Sequence, residues 1–220
     1  MTPSEKAKLC KYAEKEKGII EKSIIILLNS GLRRGELLGL QWKNINLSTR
    51  QMTINKTLSR MKKFNLEKSA YTYVRVDSYA ADKRKTALYL GPVKTLKSRR
   101  TIFLLESVYQ AFVEIKTLHE KYATQKEYNN SHDLVFCSSN GRAFDPKTYD
   151  DEFKKILSKA NIREINIYAT RHTFATEAMQ KSNDIVTIAD IMGHSKPSTT
   201  LDMYGHTFDD RKRALMEQFE

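Results

Sequence analysis

Cysteine is scarce in this sequence. The two cysteines, Cys10 and Cys137, lie far apart and form no CxxC pair, and the five histidines are scattered along the chain. Neither a disulfide framework nor a structural zinc site is therefore expected. So little cysteine fits a reducing compartment, and we expect a cytoplasmic protein.

Long apolar runs and acidic clusters are also missing. The N-terminal residues lack the apolar segment of a signal peptide, and the longest apolar stretch, around residues 24–28, is far too short to span a membrane. No group of Asp and Glu residues suggests a metal site, which argues against hydrolysis by two metal ions. We therefore expect no membrane contact and no metal cofactor.

Positive charge is abundant by contrast. The chain carries 38 Lys and Arg against 26 Asp and Glu, a net charge of +12, and its pI is about 9.5. Residues 54–100 hold thirteen Lys or Arg and three Asp or Glu, and so account for +10 of this excess. Such a concentration favours a surface that binds a polyanion, most simply nucleic acid, over a generally basic protein. A solvated basic hairpin is the alternative, and both interpretations hold if the hairpin wraps DNA.

The hydrophobic pattern predicts helices on both sides of a short β region. Apolar residues at helical spacing indicate helices over residues 2–15, 19–29, 34–41, 106–122, 149–160, 169–181, 186–192 and 208–219. Alternating patterns indicate strands over residues 51–58, 71–76, 86–90 and 100–105. Because no repeat or linker interrupts the chain, we expect one α+β domain, mainly helical, with a small antiparallel sheet and a β-hairpin insertion.

Residues 168–204 contain three residue types suited to phosphate chemistry. Arg171 begins a helical pattern, a Gly193-His194 pair follows, and Tyr204 lies ten residues beyond that histidine. The planar guanidinium of an arginine matches the non-bridging oxygens of a phosphodiester, and a tyrosine hydroxyl can form a covalent intermediate. A helix-turn-helix with Gly193 in its turn is the alternative for residues 184–204.

Two motifs far upstream supply further functional groups. In the segment GLRRGE, Arg33 and Glu36 lie about one helical turn apart, so the acid can orient the guanidinium; the alternative is a surface ion pair worth under about 1 kcal/mol. Lys94 lies in a basic turn between two predicted strands, where it can reach a scissile phosphate or bind phosphates without specificity. A plain DNA-binding module has no need of Arg33 and Lys94 at these positions.

Together these motifs resemble the tyrosine recombinase, or phage integrase, family. In the family's order they are Gly31-x-Arg33-x-x-Glu36, Lys94-Thr95, Arg171-His172-Thr173-Phe174-Ala175-Thr176, Gly193-His194-Ser195, and Thr199-Thr200 followed by Tyr204. The spacing from His194 to Tyr204 is similar to that of the integrases of conjugative transposons. Any one motif is weak, but the matches cover residues 31–206 in order.

The resemblance implies a role for each matching residue. Arg33 and Arg171 would clamp the scissile phosphate, and Lys94 would protonate the leaving 5′ oxygen. Tyr204 would attack and form a 3′-phosphotyrosyl bond, while His194 would hydrogen-bond the phosphate or position this nucleophile. Because the covalent bond conserves the energy of the phosphodiester, religation needs no nucleotide cofactor.

Further residues belong to the implied site. Glu36 stands where the family carries a supporting acid, and Tyr168 stands where the family usually has a histidine, three residues before Arg171. A tyrosine can donate a hydrogen bond to phosphate, but its reference pKa of about 10 makes it a poor base near neutral pH. The DNA-binding residues expected around these groups are Lys83, Arg84, Lys85, Lys97, Arg99 and Arg100.

The resemblance also implies how the protein is organised. We expect residues 1–220 to form the catalytic domain, without the N-terminal core-binding domain of family integrases, and hence to bind DNA weakly and with steep salt dependence. The expected partners are double-stranded DNA and further copies of the chain in a synaptic tetramer, in the cytoplasm at the nucleoid. The apolar stripe of residues 208–219 either packs on a neighbouring subunit or closes its own core.

The expected function is site-specific strand exchange for the integration and excision of a mobile element. One alternative is a host recombinase that resolves chromosome dimers, and another is an inactive relative that only binds DNA. A covalent protein–DNA adduct through Tyr204 would separate the two recombinases from the inactive relative.

Overall fold

A computed structural model describes residues 1–63, 72–77, 85–182, 184–196, 198 and 216–219. Its helices are α1 (Pro3–Lys15), α2 (Ile19–Ser30), α3 (Arg34–Leu38), α4 (Glu106–Ala123), α5 (Pro146–Lys159), α6 (Tyr168–Lys181) and α7 (Ile185–Met192). Its strands are β1 (Ile45–Asn46), β2 (Gln51–Ile54), β3 (Lys56–Lys62), β4 (Val74–Arg75), β5 (Thr86–Pro92) and β6 (Arg100–Phe103). The predicted α+β class, mainly helical with antiparallel β structure, is confirmed.

Helix α2 is the centre of the fold. Most of its residues are buried, and it packs against α1, α4, α5 and α6. A helix surrounded by others on several sides needs no polar face, which explains the apolar run at residues 24–28. Gly18 precedes α2, and Gly31 ends it with a φ of 64°, a left-handed conformation that glycine adopts without strain.

Helix α3 is shorter than predicted. It ends at Leu38 rather than near residue 41, where the chain passes close to β3. A Cβ atom at Gly39 would come within 2.9 Å of the backbone of Thr57 and Leu58, so this glycine lets α3 rest on the start of β3. The residues predicted to face inward are buried as expected: Leu37, Leu38 and Leu40.

The β region forms two sheets instead of the single predicted sheet. Strands β1, β2 and β6 make one antiparallel sheet in the order β1-β2-β6, and the other sheet has the order β3-β5-β4. The strand predicted over residues 51–58 divides at Asn55, because β2 pairs with β6 whereas β3 pairs with β5. The turn between β5 and β6, residues 93–99, starts opposite this break, where the Val93 N–H donates to the Asn55 carbonyl (3.4 Å).

The other predicted elements agree with the structure wherever it describes them. Helices α4 to α7 and strands β5 and β6 lie over the predicted segments, with ends that differ by a few residues. Of the strand predicted over residues 71–76, β4 is observed, and residue 71 lies outside the described residues. The helix predicted over residues 208–219 also lies outside them, apart from a 3-10 turn at Glu217–Phe219. None of the described helices is long and apolar enough to cross a membrane.

Candidate active site

A cleft of about 330 Å³ opens between α3, the β5–β6 turn and the C-terminal end of α7. Four of the residues predicted from the sequence line it, namely Arg33, Glu36, Lys94 and His194. They come from three distant parts of the chain, so the fold brings them together as a site requires.

Arg33 and Glu36 are positioned by the start of α3. Arg33 is the residue before the helix, and the Glu36 carboxylate accepts hydrogen bonds from its backbone N–H (3.0 Å) and from its Nη1 (2.7 Å). The side chain of Glu36 is 4% exposed, whereas that of Arg33 is 36% exposed. A buried acid therefore orients a guanidinium that faces the cleft, which differs from the plain surface ion pair considered as the alternative.

Arg100 departs from the role expected for it. Its side chain is 2% exposed, and its N–H groups are directed into the protein. Nη2 and Nη1 donate to the two Glu36 oxygens (2.9 and 3.3 Å), and Nη1 also donates to the Ser98 carbonyl (3.1 Å). Nε donates to the Ile191 carbonyl (2.5 Å). The structure thus directs Arg100 into the protein, whereas the sequence led us to expect it among the DNA-binding residues at the surface.

The direction of Arg100 follows from the alternation of β6. Arg100 and Ile102 are buried, while Thr101 and Phe103 are exposed, as expected for side chains on opposite faces of a strand. The sequence of β6 does not show this alternation clearly, because the apolar Phe103 occupies an exposed position and the charged Arg100 a buried one. Strand periodicity was therefore too weak a guide here.

Arg171 lies behind the cleft on α6. It is 1% exposed; Nη1 donates to the Gly31 carbonyl and Nη2 to the Met192 carbonyl (2.7 Å). Within the described part of the chain, its Nε has no hydrogen-bond partner. Burial and the neighbouring Arg33 and Arg100 lower the pKa of Arg171 to about 10, so the group keeps its charge near pH 7.

The C-terminal end of α7 helps to hold these three arginines together. Consecutive carbonyl groups at this end accept hydrogen bonds from them: Ile191, Met192 and Gly193. Such carbonyls carry partial negative charge, and Glu36 adds a full one. Burial alone raises the pKa of Glu36, but Arg100 and Arg33 outweigh it and the pKa lies below its usual value. The negative charge of one carboxylate and one helix end neutralises the positive charge of the three guanidinium groups only in part.

His194 follows Gly193, which ends α7 with a φ of 66°. The His194 N–H donates to the Ala189 carbonyl (2.9 Å), and the residue is 8% exposed. Burial and the nearby Arg171 and Arg33 lower the pKa of His194 to about 4. The imidazole is therefore neutral near pH 7 and suited to hydrogen bonding rather than to acting as a cation.

The β5–β6 turn carries two lysines at the cleft. The turn is closed by the Ser98 N–H, which donates to the Thr95 carbonyl (3.0 Å). Lys94 is exposed and lines the cleft. Lys97 reaches the other wall, where its Nζ donates to the Ser195 carbonyl (3.3 Å). The turn therefore brings ammonium groups to the rim beside His194.

The remaining predicted residues lie elsewhere. Tyr168, at the start of α6, is 42% exposed, packs edge-to-face on His172 (ring centroids 4.8 Å apart) and does not line the cleft. Lys85 precedes β5, at the opposite end of that strand from Lys94, and Arg99 is exposed in the turn. The other predicted site residues lie outside the described residues: Tyr204, Lys83 and Arg84.

Sequence reasoning missed Thr57, which lines the cleft from β3. A Cβ atom at Gly35 would lie 2.6 Å from its Oγ1, so the glycine of the GLRRGE segment admits this close approach. A glycine inside a helical segment indicates that another part of the chain approaches closely, but the sequence does not show that this part is Thr57. Among the described residues, no group of three or more His, Cys, Asp or Glu could hold a metal ion.

The fold is shared with a solved transposon integrase. A structure of the Tn1549 transposon integrase in complex with a circular intermediate DNA matches with a TM-score of 0.75 and 24% identity, over 100% of this chain and 65% of that chain. The model of the phage integrase family matches residues 74–211, more than half of the sequence. The chain therefore belongs to the phage integrase family, which confirms the resemblance.

Two curated relatives show how the match is distributed. A XerC-like tyrosine recombinase of Caldanaerobacter subterraneus subsp. tengcongensis is 27% identical over 212 residues, 94% of this chain and 51% of the relative. The transposase from transposon Tn916 of Enterococcus faecalis is 24% identical over 226 residues, 99% of this chain and 50% of the relative. The chain thus spans about half the length of these relatives.

Proposed function

We propose that this chain is the catalytic domain of a site-specific DNA recombinase that integrates and excises a mobile element. In this proposal residues 1–220 cut and rejoin double-stranded DNA through a 3′-phosphotyrosyl bond at Tyr204, without a metal ion or ATP. The observation that carries the proposal is the excess of positive charge at the cleft, where Glu36 and the carbonyls at the end of α7 hold three guanidinium groups in place. Membership of the phage integrase family supports DNA as the source of that anion.

A phosphodiester fits the cleft on electrostatic grounds. The Arg33 and Arg100 guanidinium groups share the Glu36 carboxylate, the buried Arg171 lies near them, and Lys94 adds a cation at the rim. Burial and mutual repulsion lower the pKa of Arg171 to about 10, and an anion in the cleft would relieve the repulsion. Phosphodiester cleavage adds negative charge to the equatorial oxygens, and losing one preorganised donor typically costs about 3–4 kcal/mol of transition-state stabilisation.

The charged residues divide the chemical step between them. Arg33 and Arg171 hold the non-bridging oxygens, and the Tyr204 oxygen attacks the phosphorus while its own proton passes to solvent water. As the new bond from phosphorus to the tyrosine oxygen forms, the bond to the 5′ oxygen breaks. The Lys94 ammonium then gives its proton to the leaving 5′ oxygen, in the manner of a general acid.

Two uncharged side chains complete the proposed site. Because its pKa is about 4, His194 stays neutral near pH 7 and serves as a hydrogen-bond partner of the phosphate or of Tyr204. Tyr168 lies one helical turn before Arg171 and does not line the cleft in the free protein; in the proposed DNA complex it donates a hydrogen bond to phosphate in place of the family's usual histidine. We assign Tyr168 no role as a base.

The proposed partners are DNA and further copies of the chain. Exposed Lys97 and Arg99, with Lys83, Arg84 and Lys85, bind phosphates, and a synaptic tetramer assembles on the DNA at the nucleoid. The Tn1549 integrase, solved with a circular intermediate DNA, supports a mobile element as the substrate. The XerC-like relative favours a second candidate, a host recombinase that resolves chromosome dimers.

Covalent trapping tests the proposal. The protein is incubated in EDTA with nicked duplexes built from mobile-element ends or from chromosome-dimer resolution sites, and adducts are separated on SDS gels. We expect an adduct with the wild type, none with Tyr204→Phe, and a rate reduced at least about 100-fold with Arg171→Ala. Tyr109→Phe is the control. Tyr109 is on α4, its ring lies under the Arg50 guanidinium, and the variant should react as the wild type does.

The outcomes separate the candidates. An adduct that persists in Tyr204→Phe would refute the assignment of the nucleophile. DNA binding without any adduct, including with an N-terminal DNA-binding domain attached, would support an inactive relative. The set of duplexes that reacts distinguishes the mobile-element integrase from the host recombinase.

A further inference from the structure

The side chain of Arg100 touches all three elements that form the cleft. Its two Nη groups bind both oxygens of Glu36, which in turn holds Arg33 at the start of α3. Nη1 also donates to the Ser98 carbonyl in the β5–β6 turn, and Nε donates to the Ile191 carbonyl at the end of α7. Four of the five N–H groups of this guanidinium are therefore used inside the protein.

Packing around Arg100 ties it to His194 as well. A Cβ atom at Gly193 would lie 2.7 Å from Nη1 of Arg100, so the end of α7 rests directly on the guanidinium. His194 is the next residue and lines the cleft. Because four of its five N–H groups are already bound within the protein, Arg100 acts on a bound DNA strand through these neighbours.

We propose that Arg100 is a positioning residue for strand cleavage, acting through Glu36 on Arg33 and through the end of α7 on His194. This inference rests on the recombinase function proposed above. Lysine cannot replace Arg100, because an ammonium keeps the charge but not the planar fork that reaches three elements at once. A displacement of the phosphate clamp by about 1 Å can cost roughly 100-fold in rate.

The test measures single-turnover cleavage of the nicked duplexes at saturating protein for Arg100→Lys and Arg100→Gln. The cleavage rate constant should fall roughly 100-fold in both variants. The Kd for DNA should change by less than about 3-fold, and the slope of log Kd against log salt should stay the same, because no phosphate contact is lost. The final fraction of DNA converted should match the wild type, because folded molecules react slowly but completely.

Two matched variants separate positioning from charge and from stability. Arg99→Gln changes the exposed neighbour of Arg100, and should weaken DNA binding and reduce the salt slope by about one. Arg60→Gln breaks an ion pair with Asp145 (2.6 Å) away from the cleft. It should lower the melting temperature and leave the cleavage rate constant unchanged.

Several results would overturn the inference. Wild-type cleavage by Arg100→Lys would show that charge alone suffices. A loss of affinity and salt slope like that of Arg99→Gln would show that Arg100 contacts DNA. A smaller converted fraction at an unchanged rate constant would reveal a purely structural role. Failure of the wild type to form any adduct would instead overturn the recombinase function, and this inference with it.

Discussion

Replacing Glu36 by Gln tests the charge balance of the arginine cluster. The substitution keeps the shape of the side chain but removes the charge that Arg33 and Arg100 share at 2.7 and 2.9 Å. Breaking a buried ion pair by removing one partner costs about 3–5 kcal/mol. Because Arg33 is 36% exposed and can turn to water, we expect about 3 kcal/mol. This corresponds to a melting temperature roughly 6–12 °C lower for a domain of this size.

The loss should depend on pH in a defined direction. Burial alone raises the pKa of Glu36, but the lowering by Arg100 and Arg33 is larger. The pKa is therefore lower in the folded than in the unfolded chain. Such a carboxylate stabilises the fold fully above its unfolded pKa, and this stability is lost as the pH falls through the folded pKa. The difference between wild type and Glu36→Gln should therefore be full at pH 7 and shrink in acid.

Urea unfolding at pH 7 and at about pH 3.5 measures this difference. Glu106→Gln is a suitable control, since Glu106 forms its ion pair with Arg50 on the surface, where the change should be small. If Glu36→Gln unfolds at the wild-type urea concentration at pH 7, the cluster does not depend on this carboxylate. An undiminished difference in acid would refute the ionic explanation and leave only packing.

Two further predictions concern the chemistry of the cleft. Lys94→Ala should cleave an ordinary duplex at least about 100-fold more slowly than the wild type. A duplex with sulfur at the 5′ bridging position should recover most of the rate. The reason is that a thiol with a pKa of about 8.5 leaves without protonation. Equal defects on both duplexes would contradict its role as the acid. NMR titration should give a pKa of about 4 for His194 in the folded protein, compared with 6.5 in the unfolded chain. The neutral imidazole therefore contributes its full stability above pH 6.5, and this stability is lost as the pH falls towards 4. His194→Gln should flatten that profile, and a folded pKa near 6.5 would contradict the electrostatic account.

The helices and the glycine ends were accessible from the sequence because their signals are local. The apolar run of α2 and its stop at Gly31 lie within a few turns of chain, and hydrophobic periodicity marked α4 to α7 in the same way. Arg33 and Glu36 belong to this group, since residues about one helical turn apart meet whatever surrounds them.

The sheets were harder to predict because pairing depends on a partner elsewhere in the chain. The segment at residues 51–58 alternates throughout, yet it divides at Asn55 where its partner changes from β6 to β5. The sequence of the segment itself does not indicate this change of pairing partner. The division matters for function, since it leaves the turn with Lys94 opposite the break.

The order of the amino acids specifies which groups are available for chemistry and which helices carry most of them. Long-range packing directs Arg100 inward to Glu36 and keeps His194 neutral through burial beside Arg171 and Arg33. The physical reason is that the direction of a side chain and its pKa depend on what lies within a few ångströms of it. In this cleft those neighbours come from segments up to 160 positions apart in the chain.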